Sequence, residues 1–261
     1  MPEQPAFDRV GNEFVEDYYN SVRGYVRQEL TRRNLLKWLM HEDIQGGRLI
    51  DVGAGDGRDA AWLRQSGFGF QSTLVDESSK MLKLAKAQVP GAKIIHGSVH
   101  DVLAQRPKLG RFNLVISHGV LQYDLDSPES HIEGLVRLSK RGGLISILTK
   151  GMGGAIDRLQ AENRSKEELD TLKETGYFRN NLGEQVVALQ YPEIEASLLR
   201  AGAKVLDFAG VRIDSEDDHR DWRKVEYVEL NGILSSEYVK SRKEHLKHRG
   251  QMLHVIAQRG E

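Results

Sequence analysis

The stretch Leu49-Ile50-Asp51-Val52-Gly53-Ala54-Gly55-Asp56-Gly57 constrains the fold more than any other part of the chain. Leu49, Ile50 and Val52 read as a buried strand, three alternating glycines follow as a turn, and Ala60, Ala61 and Leu63 open a small-residue helix face at once. Glycine at alternate positions permits positive φ and leaves no Cβ in the way of a neighbour. A turn of this kind, placed between a strand and a helix, lays bare backbone and the first N–H groups of the helix under a nucleoside ligand.

The rest of the chain repeats that unit. Further strands are expected at 70–75, 94–95, 112–116, 144–148, 204–208 and 252–257, with helix patterns at 22–40, 81–88, 129–139 and 193–201. Alternation of this kind implies right-handed crossovers, so the predicted fold is α/β: a doubly wound, mostly parallel, seven-stranded Rossmann-like sheet in one domain, 1–261. The last strand is free to pair antiparallel with the sixth, although the 211–250 segment leaves this open. Residues 1–46 form an N-terminal helical cap, with Val22, Val26, Leu30, Leu35, Leu36 and Leu39 as a stripe, Asn34 off register, and Arg23, Arg27, Arg32 and Arg33 along it. Two insertions on the substrate side, 151–190 and 211–250, break the rhythm. In the first, Gly151, Gly153 and Gly154 read as a hinge and Ser165 to Glu168 as a capping box, the makings of a lid. Residues 96–101 read as a polar loop.

In such a sheet the ligand lies beyond the carboxyl ends of the strands, where the glycine turn, Asp76, His100 and His118 converge. A dinucleotide turn wants glycines at positions one, three and six; here position six is Arg58 and the third glycine falls at position five. Asp51 and Asp56 flank the turn. They repel a pyrophosphate but complement an amino group and a sulfonium.

With Asp76 nineteen positions after Gly57, Asp51-Val52-Gly53-Ala54-Gly55-Asp56-Gly57 resembles class I S-adenosylmethionine-dependent methyltransferases over residues 48–150. That resemblance implies S-adenosylmethionine as cofactor, Gly53, Ala54, Gly55 and Gly57 under its methionine portion near Asp51, Asp76 on its ribose hydroxyls, and Val99 and His100 beside its adenine. A narrower resemblance joins Phe7-Asp8, Arg23-Gly24-Tyr25-Val26-Arg27, His118-Gly119-Val120-Leu121-Gln122-Tyr123, Gly210-Val211-Arg212 and Leu253-His254-Val255-Ile256-Ala257. Together they are similar to the bacterial tRNA 5-carboxymethoxyuridine methyltransferases, which esterify the carboxylate of a modified uridine. It implies Arg27 reaching the cofactor's carboxylate and His118 against the cofactor. Lys150-Gly151-Met152-Gly153-Gly154 and the acidic run 213–218 depart from that family's pattern on the substrate side.

The acceptor decides which residues do chemistry. A carboxylate is ionised at neutral pH and needs a cation to position it, for which Arg212 is the first candidate and Lys150 the second. A hydroxyl acceptor would be deprotonated by His118 or Tyr123. Five cations between 240 and 249, Lys240, Arg242, Lys243, Lys247 and Arg249, form a candidate phosphate patch for tRNA. A small-molecule oxygen acceptor is the alternative partner, and a cofactor-binding protein without turnover the third reading. With no cysteine there is no thiolate nucleophile or Cys-ligated metal, and the acids and histidine at 214–219 read as a solvated loop, not a metal site. A net charge of −1, no signal-peptide pattern and no apolar stretch of membrane length point to a cytoplasmic protein without a membrane partner. Nothing in the sequence specifies an oligomeric state.

Overall fold

In the computed structural model, residues 17–180, 182–214 and 218–260 are described; Phe7, Asp8, Ser215, Glu216 and Asp217 lie outside them. The chain runs α1 (Val22–His41), β1 (Gly47–Val52), α2 (Arg58–Gln65), β2 (Phe70–Asp76), α3 (Ser79–Gln88), β3 (Lys93–His96), α4 (Val99–Leu109), β4 (Phe112–His118), α5 (Pro128–Leu138) and β5 (Ser139–Lys150). It continues through α6 (Met152–Ala161), α7 (Lys166–Thr175), a hairpin of β6 (Tyr177–Arg179) and β7 (Gln185–Val187), α8 (Tyr191–Arg200), β8 (Ala203–Val211), α9 (Tyr227–Arg242), α10 (Glu244–Lys247) and β9 (Met252–Arg259).

The seven-stranded sheet has the order β3-β2-β1-β4-β5-β9-β8. The pairs among β1 to β5 are parallel, and β9 lies between β5 and β8, antiparallel to both. The strand order reverses at β1 and β4, so the turn after β1 opens at the switch point where doubly wound sheets bind ligands. Alternate residues serve two apolar layers. Ile50, Val52, Val115 and Ile147 pack with α4, α5 and α8 on one face; Leu49, Leu114, Leu144 and Ile256 meet α1, α2 and α3 on the other. Burying both faces explains why these strands read as continuous apolar runs.

The stretch 96–101 is not a loop throughout: α4 starts at Val99, with the Asp101 carboxylate accepting from the Ser98 N–H and Val99 and Val102 buried. Sparse apolar spacing and Pro107 near its end conceal this helix in the sequence. Asn34, off the stripe of α1, is nevertheless only 2% exposed.

The first insertion is α6, α7 and the β6–β7 hairpin around a small core of Ala155, Leu159, Leu172, Phe178 and Val186. Ser165 and Glu168 form the expected capping box. The glycines before it serve close approach: a Cβ on Gly153 would lie 2.2 Å from the His248 carbonyl oxygen, and one on Gly154 2.4 Å from that of Gly250. None of the three has positive φ, so a hinge is not what requires glycine there. The second insertion packs α9 on α1 and β8 through Val22, Val26, Val211, Leu230 and Leu234. Among the described residues no helix is long and apolar enough to cross a membrane. Since Gly154 meets backbone, which cannot rotate away, Gly154→Ala should lower stability by roughly 1–3 kcal/mol. Urea denaturation should show this as a lower midpoint with an unchanged slope.

Candidate functional site

The turn after β1 is tied to the end of β2. Gly53 and Ala54 both donate to the Val75 carbonyl, at 2.7 and 2.8 Å, and Gly55 donates to Asp76 Oδ2 at 2.8 Å. Gly53, Gly55 and Gly57 have φ of 76°, 54° and 82°. Each is glycine for an added reason. A Cβ on Gly53 would strike Val120 at 1.9 Å and one on Gly57 would press on Ala85, whereas Gly55 faces open space, bare backbone available to a ligand. Asp76 Oδ1 accepts from the Ser78 N–H at 2.8 Å, and the Ser78 hydroxyl caps α3. Both carboxylate oxygens of Asp76 thereby accept from backbone N–H groups.

Carboxylates crowd the turn. Asp51 is 2% exposed, and burial, with Asp59, Asp76 and Asp56 close by, raises its pKa well above the ordinary value. Asp56, read from the sequence as complementing a cationic ligand, instead holds Arg58 through both oxygens. The site is short of positive charge at Asp51.

His118, the last residue of β4, is held at both ring nitrogens: Nδ1 lies 2.8 Å from Asp59 Oδ2 and Nε2 2.8 Å from Ser146 Oγ. Burial alone would raise the Asp59 carboxyl, but the His118 hydrogen bond, with Arg32 and Arg27 nearby, holds it well below the usual range. The cavity beside them, lined in part by Tyr19, Arg27, Arg58, Asp59 and His118, measures about 20 Å³, room for about one water molecule.

Arg27 projects from α1 toward the end of β4. Its Nη1 donates to the Tyr19 hydroxyl at 3.1 Å, and its Nη2 lies 2.9 Å from where a Cβ on Gly119 would stand, beyond the end of β4. Arg212 is 3% exposed, adopts φ of 58°, and donates from Nη1 to the Tyr18 hydroxyl at 2.9 Å. The guanidinium carbons of Arg23, Arg27 and Arg212 surround the Tyr18 ring at 5.3, 5.8 and 5.7 Å. That conjunction depends on Tyr18 and Tyr19, which sequence reasoning missed; two tyrosines beside an arginine-rich helix were the available signal.

The remaining candidates are less central. Tyr123 sits in the short turn after β4; Asn180 donates to its hydroxyl at 3.3 Å, and burial raises its pKa above the ordinary tyrosine value. Val99 packs its side chain toward α5 at Gly134, and His100 is exposed 3.7 Å from Asp124. Of the five cations at 240–249, Lys240 pairs with Asp214, Arg242 with Asp207, Lys247 with Glu244 and Arg249 with Asp157. The candidate phosphate patch is largely consumed inside the chain.

Residues 50–147 match the family model described as "Methyltransferase domain". That segment, from β1 into β5, is similar to a methyltransferase domain. The chain is 28% identical over 148 residues to the Escherichia coli tRNA 5-carboxymethoxyuridine methyltransferase, 54% of this chain and 55% of the relative. The chain thus spans about half the length of the curated relatives it matches. Its fold matches an S-adenosylmethionine-dependent methyltransferase from Clostridium acetobutylicum at TM-score 0.60 and 13% identity, covering 96% of this chain and 99% of the other. It also matches the magnesium protoporphyrin IX methyltransferase of Synechocystis with bound SAH, at TM-score 0.59 and 14% identity, covering 96% and 100%.

S-adenosylmethionine, named for the Clostridium acetobutylicum structure, is the group against which these residues can be tested. The residues fit it: Gly55 leaves backbone bare where the ligand must approach, and the carboxylates around Asp51 suit a cofactor whose ammonium and sulfonium are both positive. Without cofactor, Asp51 retains a proton in the folded chain that the unfolded chain has already released. Its contribution to stability is therefore present below the ordinary aspartate pKa and is lost as pH rises through the elevated folded value. The melting temperature of the cofactor-free Asp51→Asn variant should accordingly exceed that of the parent by a margin that widens as pH rises above about 4. A constant or narrowing margin in pH-resolved thermal melts would contradict the crowding of carboxylates at Asp51.

Proposed function

We propose that the chain is an S-adenosylmethionine-dependent methyltransferase acting on an oxygen acceptor, that this acceptor is a carboxylate, and that the carboxylate belongs to a modified uridine of tRNA in the cytoplasm. The observation that carries this reading is the pairing of two arginines, Arg27 and Arg212, at Tyr18, together with a His118 whose ring nitrogens are both engaged. A carboxylate needs no base at neutral pH but does need a cation to orient it. Tyr123, raised by burial, is also a poor base. The name of the Escherichia coli relative supports tRNA as the source of the carboxylate.

In this assignment Gly53, Ala54, Gly55 and Gly57 underlie the methionine portion of the cofactor, with Asp51 facing its ammonium and Arg27 its carboxylate. Asp76, already oriented by Gly55 and Ser78, takes the ribose hydroxyls. The backbone at Val99 and the side chain of His100 border the adenine, and His118 is part of the wall. S-adenosylmethionine supplies a methyl group activated by its sulfonium. Arg212 would hold the acceptor carboxylate and orient one of its oxygens toward that methyl group, with alignment and exclusion of water supplying the rate. The first insertion, α6 to β7, serves as the lid that excludes water.

A second reading, oxygen methylation of a small molecule in the same site, is favoured by the internal pairing of the cations at 240–249. Methyl-labelled S-adenosylmethionine separates the two. Label should enter bulk tRNA from cells lacking this protein and be released from it by mild alkali, as from a methyl ester. Label confined to a low-molecular-weight extract would establish the second reading, and alkali-stable label in tRNA would exclude the carboxylate. Arg212→Gln should lower kcat/KM by roughly a hundredfold, as for loss of a buried charged contact, with cofactor affinity retained. Asp76→Ala should weaken cofactor binding at least about tenfold by calorimetry, the weight of one charge-assisted hydrogen bond.

A further inference from the structure

His118 is one end of a row of buried polar side chains crossing β4, β5 and β9 on a sheet face otherwise lined by Leu114, Leu144 and Ile256. From Asp59 the row runs to His118 Nδ1 at 2.8 Å, from His118 Nε2 to Ser146 Oγ at 2.8 Å, and on to His254 Nε2 at 2.9 Å. From His254 Nδ1 it continues to the Asn34 amide nitrogen at 3.0 Å, and Arg242 then contacts the Asn34 amide oxygen and pairs with Asp207. Ser146 and His254 are fully buried and Asn34 is 2% exposed.

The two ends of this row have fixed polarity. A guanidinium donates and never accepts, so Arg242 must meet the oxygen of Asn34, which leaves the Asn34 N–H donating to His254. His254 Nδ1 therefore accepts, and its single proton sits on Nε2 and goes to Ser146 Oγ. The Ser146 hydroxyl has its own proton left and donates it to His118 Nε2. His118 then carries its proton on Nδ1 and donates it to the Asp59 carboxylate, which can only accept.

We propose that Arg242 and Asn34 are positioning residues that fix the tautomer of His118, with the proton on Nδ1 and Nε2 accepting, through Ser146 and His254. Burial, with His118 adjacent, holds the pKa of His254 well below the usual histidine value, in keeping with a neutral link. The charged groups facing the row are Asp59, Arg27 and Arg32 at one end and Asp207, Lys37 and Arg242 at the other. The consequence concerns the methyl transfer whichever oxygen accepts it: the lone pair of His118 points at Ser146, so the ring braces the end of β4 against α2 beside the glycine turn and takes no proton from the acceptor. This holds independently of the acceptor assigned above.

Nitrogen NMR of the full chain with labelled histidine, the rings assigned through their backbones, reads this directly. In the parent, His118 should show a protonated Nδ1 and a bare Nε2, and His254 the reverse; a protonated Nε2 on His118 overturns the proposal. In Asn34→Asp the new carboxylate accepts from both Arg242 and His254, so the His254 proton moves to Nδ1, Ser146 turns its hydroxyl to His254, and His118 becomes protonated at Nε2. An unchanged His118 in the folded variant overturns the proposal as well. Should that variant fail to fold, Arg242 decides it: Arg242→Lys, still only a donor, should keep the parent pattern, and Arg242→Met should give mixed tautomers at His254. A single parent-like tautomer in Arg242→Met counts against Arg242 as the determinant.

Discussion

The Val75 carbonyl accepts from both Gly53 and Ala54, and the geometry of the site descends from that shared bond. It docks the turn after β1 onto the neighbouring strand, which brings Asp76, at the end of that strand, within reach of the Gly55 N–H. The turn can make this approach only with glycine at position 53, since Val120 occupies the space a Cβ would need. The loops after β1, β2 and β4 are thus interlocked by one backbone acceptor and one missing methyl group. Each alone would be an ordinary connection.

Around that interlock the charges are segregated. Carboxylates gather on the β1 and β2 side, where burial and neighbouring acids raise the Asp51 pKa, and guanidinium groups gather on the side of Tyr18 and Arg212. The division suits a ligand with positive charge at one end and an anionic partner at the other. His118 stands at the border, and its full set of hydrogen bonds makes it part of the scaffold. A polar row buried on an apolar face is tolerable only when every member is bonded, because a half-satisfied network costs more than an apolar core.

The parallel strands, their order with the helices and the glycine turn after β1 were legible because they are written in local patterns: continuous apolar runs and a glycine spacing. The helix 99–109 was not legible, since its apolar residues are few and Pro107 interrupts them. Asn34 broke the helical stripe and was read as an irregularity, yet it is buried against His254, 220 residues away. The glycines at 151–154 read as a hinge and are required instead by the loop before β9. Cations at 240–249 looked like a patch for phosphates until the fold brought Asp214, Asp207 and Asp157 to them.

The sequence by itself determined the α/β class and the glycine turn between β1 and α2, because each is written in local strand, turn and helix patterns. Only the tertiary structure decided that Arg27 and Arg212 meet at Tyr18, that His118 has no free nitrogen, and that Arg242 speaks to His118 through Asn34, His254 and Ser146. Those relations join α1, β4, β5, α9 and β9, and hydrogen-bond direction is set by partners whose distance along the chain has no periodicity to read. Local pattern reports where a backbone will bend. Which side chain donates to which is settled only when the strands lie side by side.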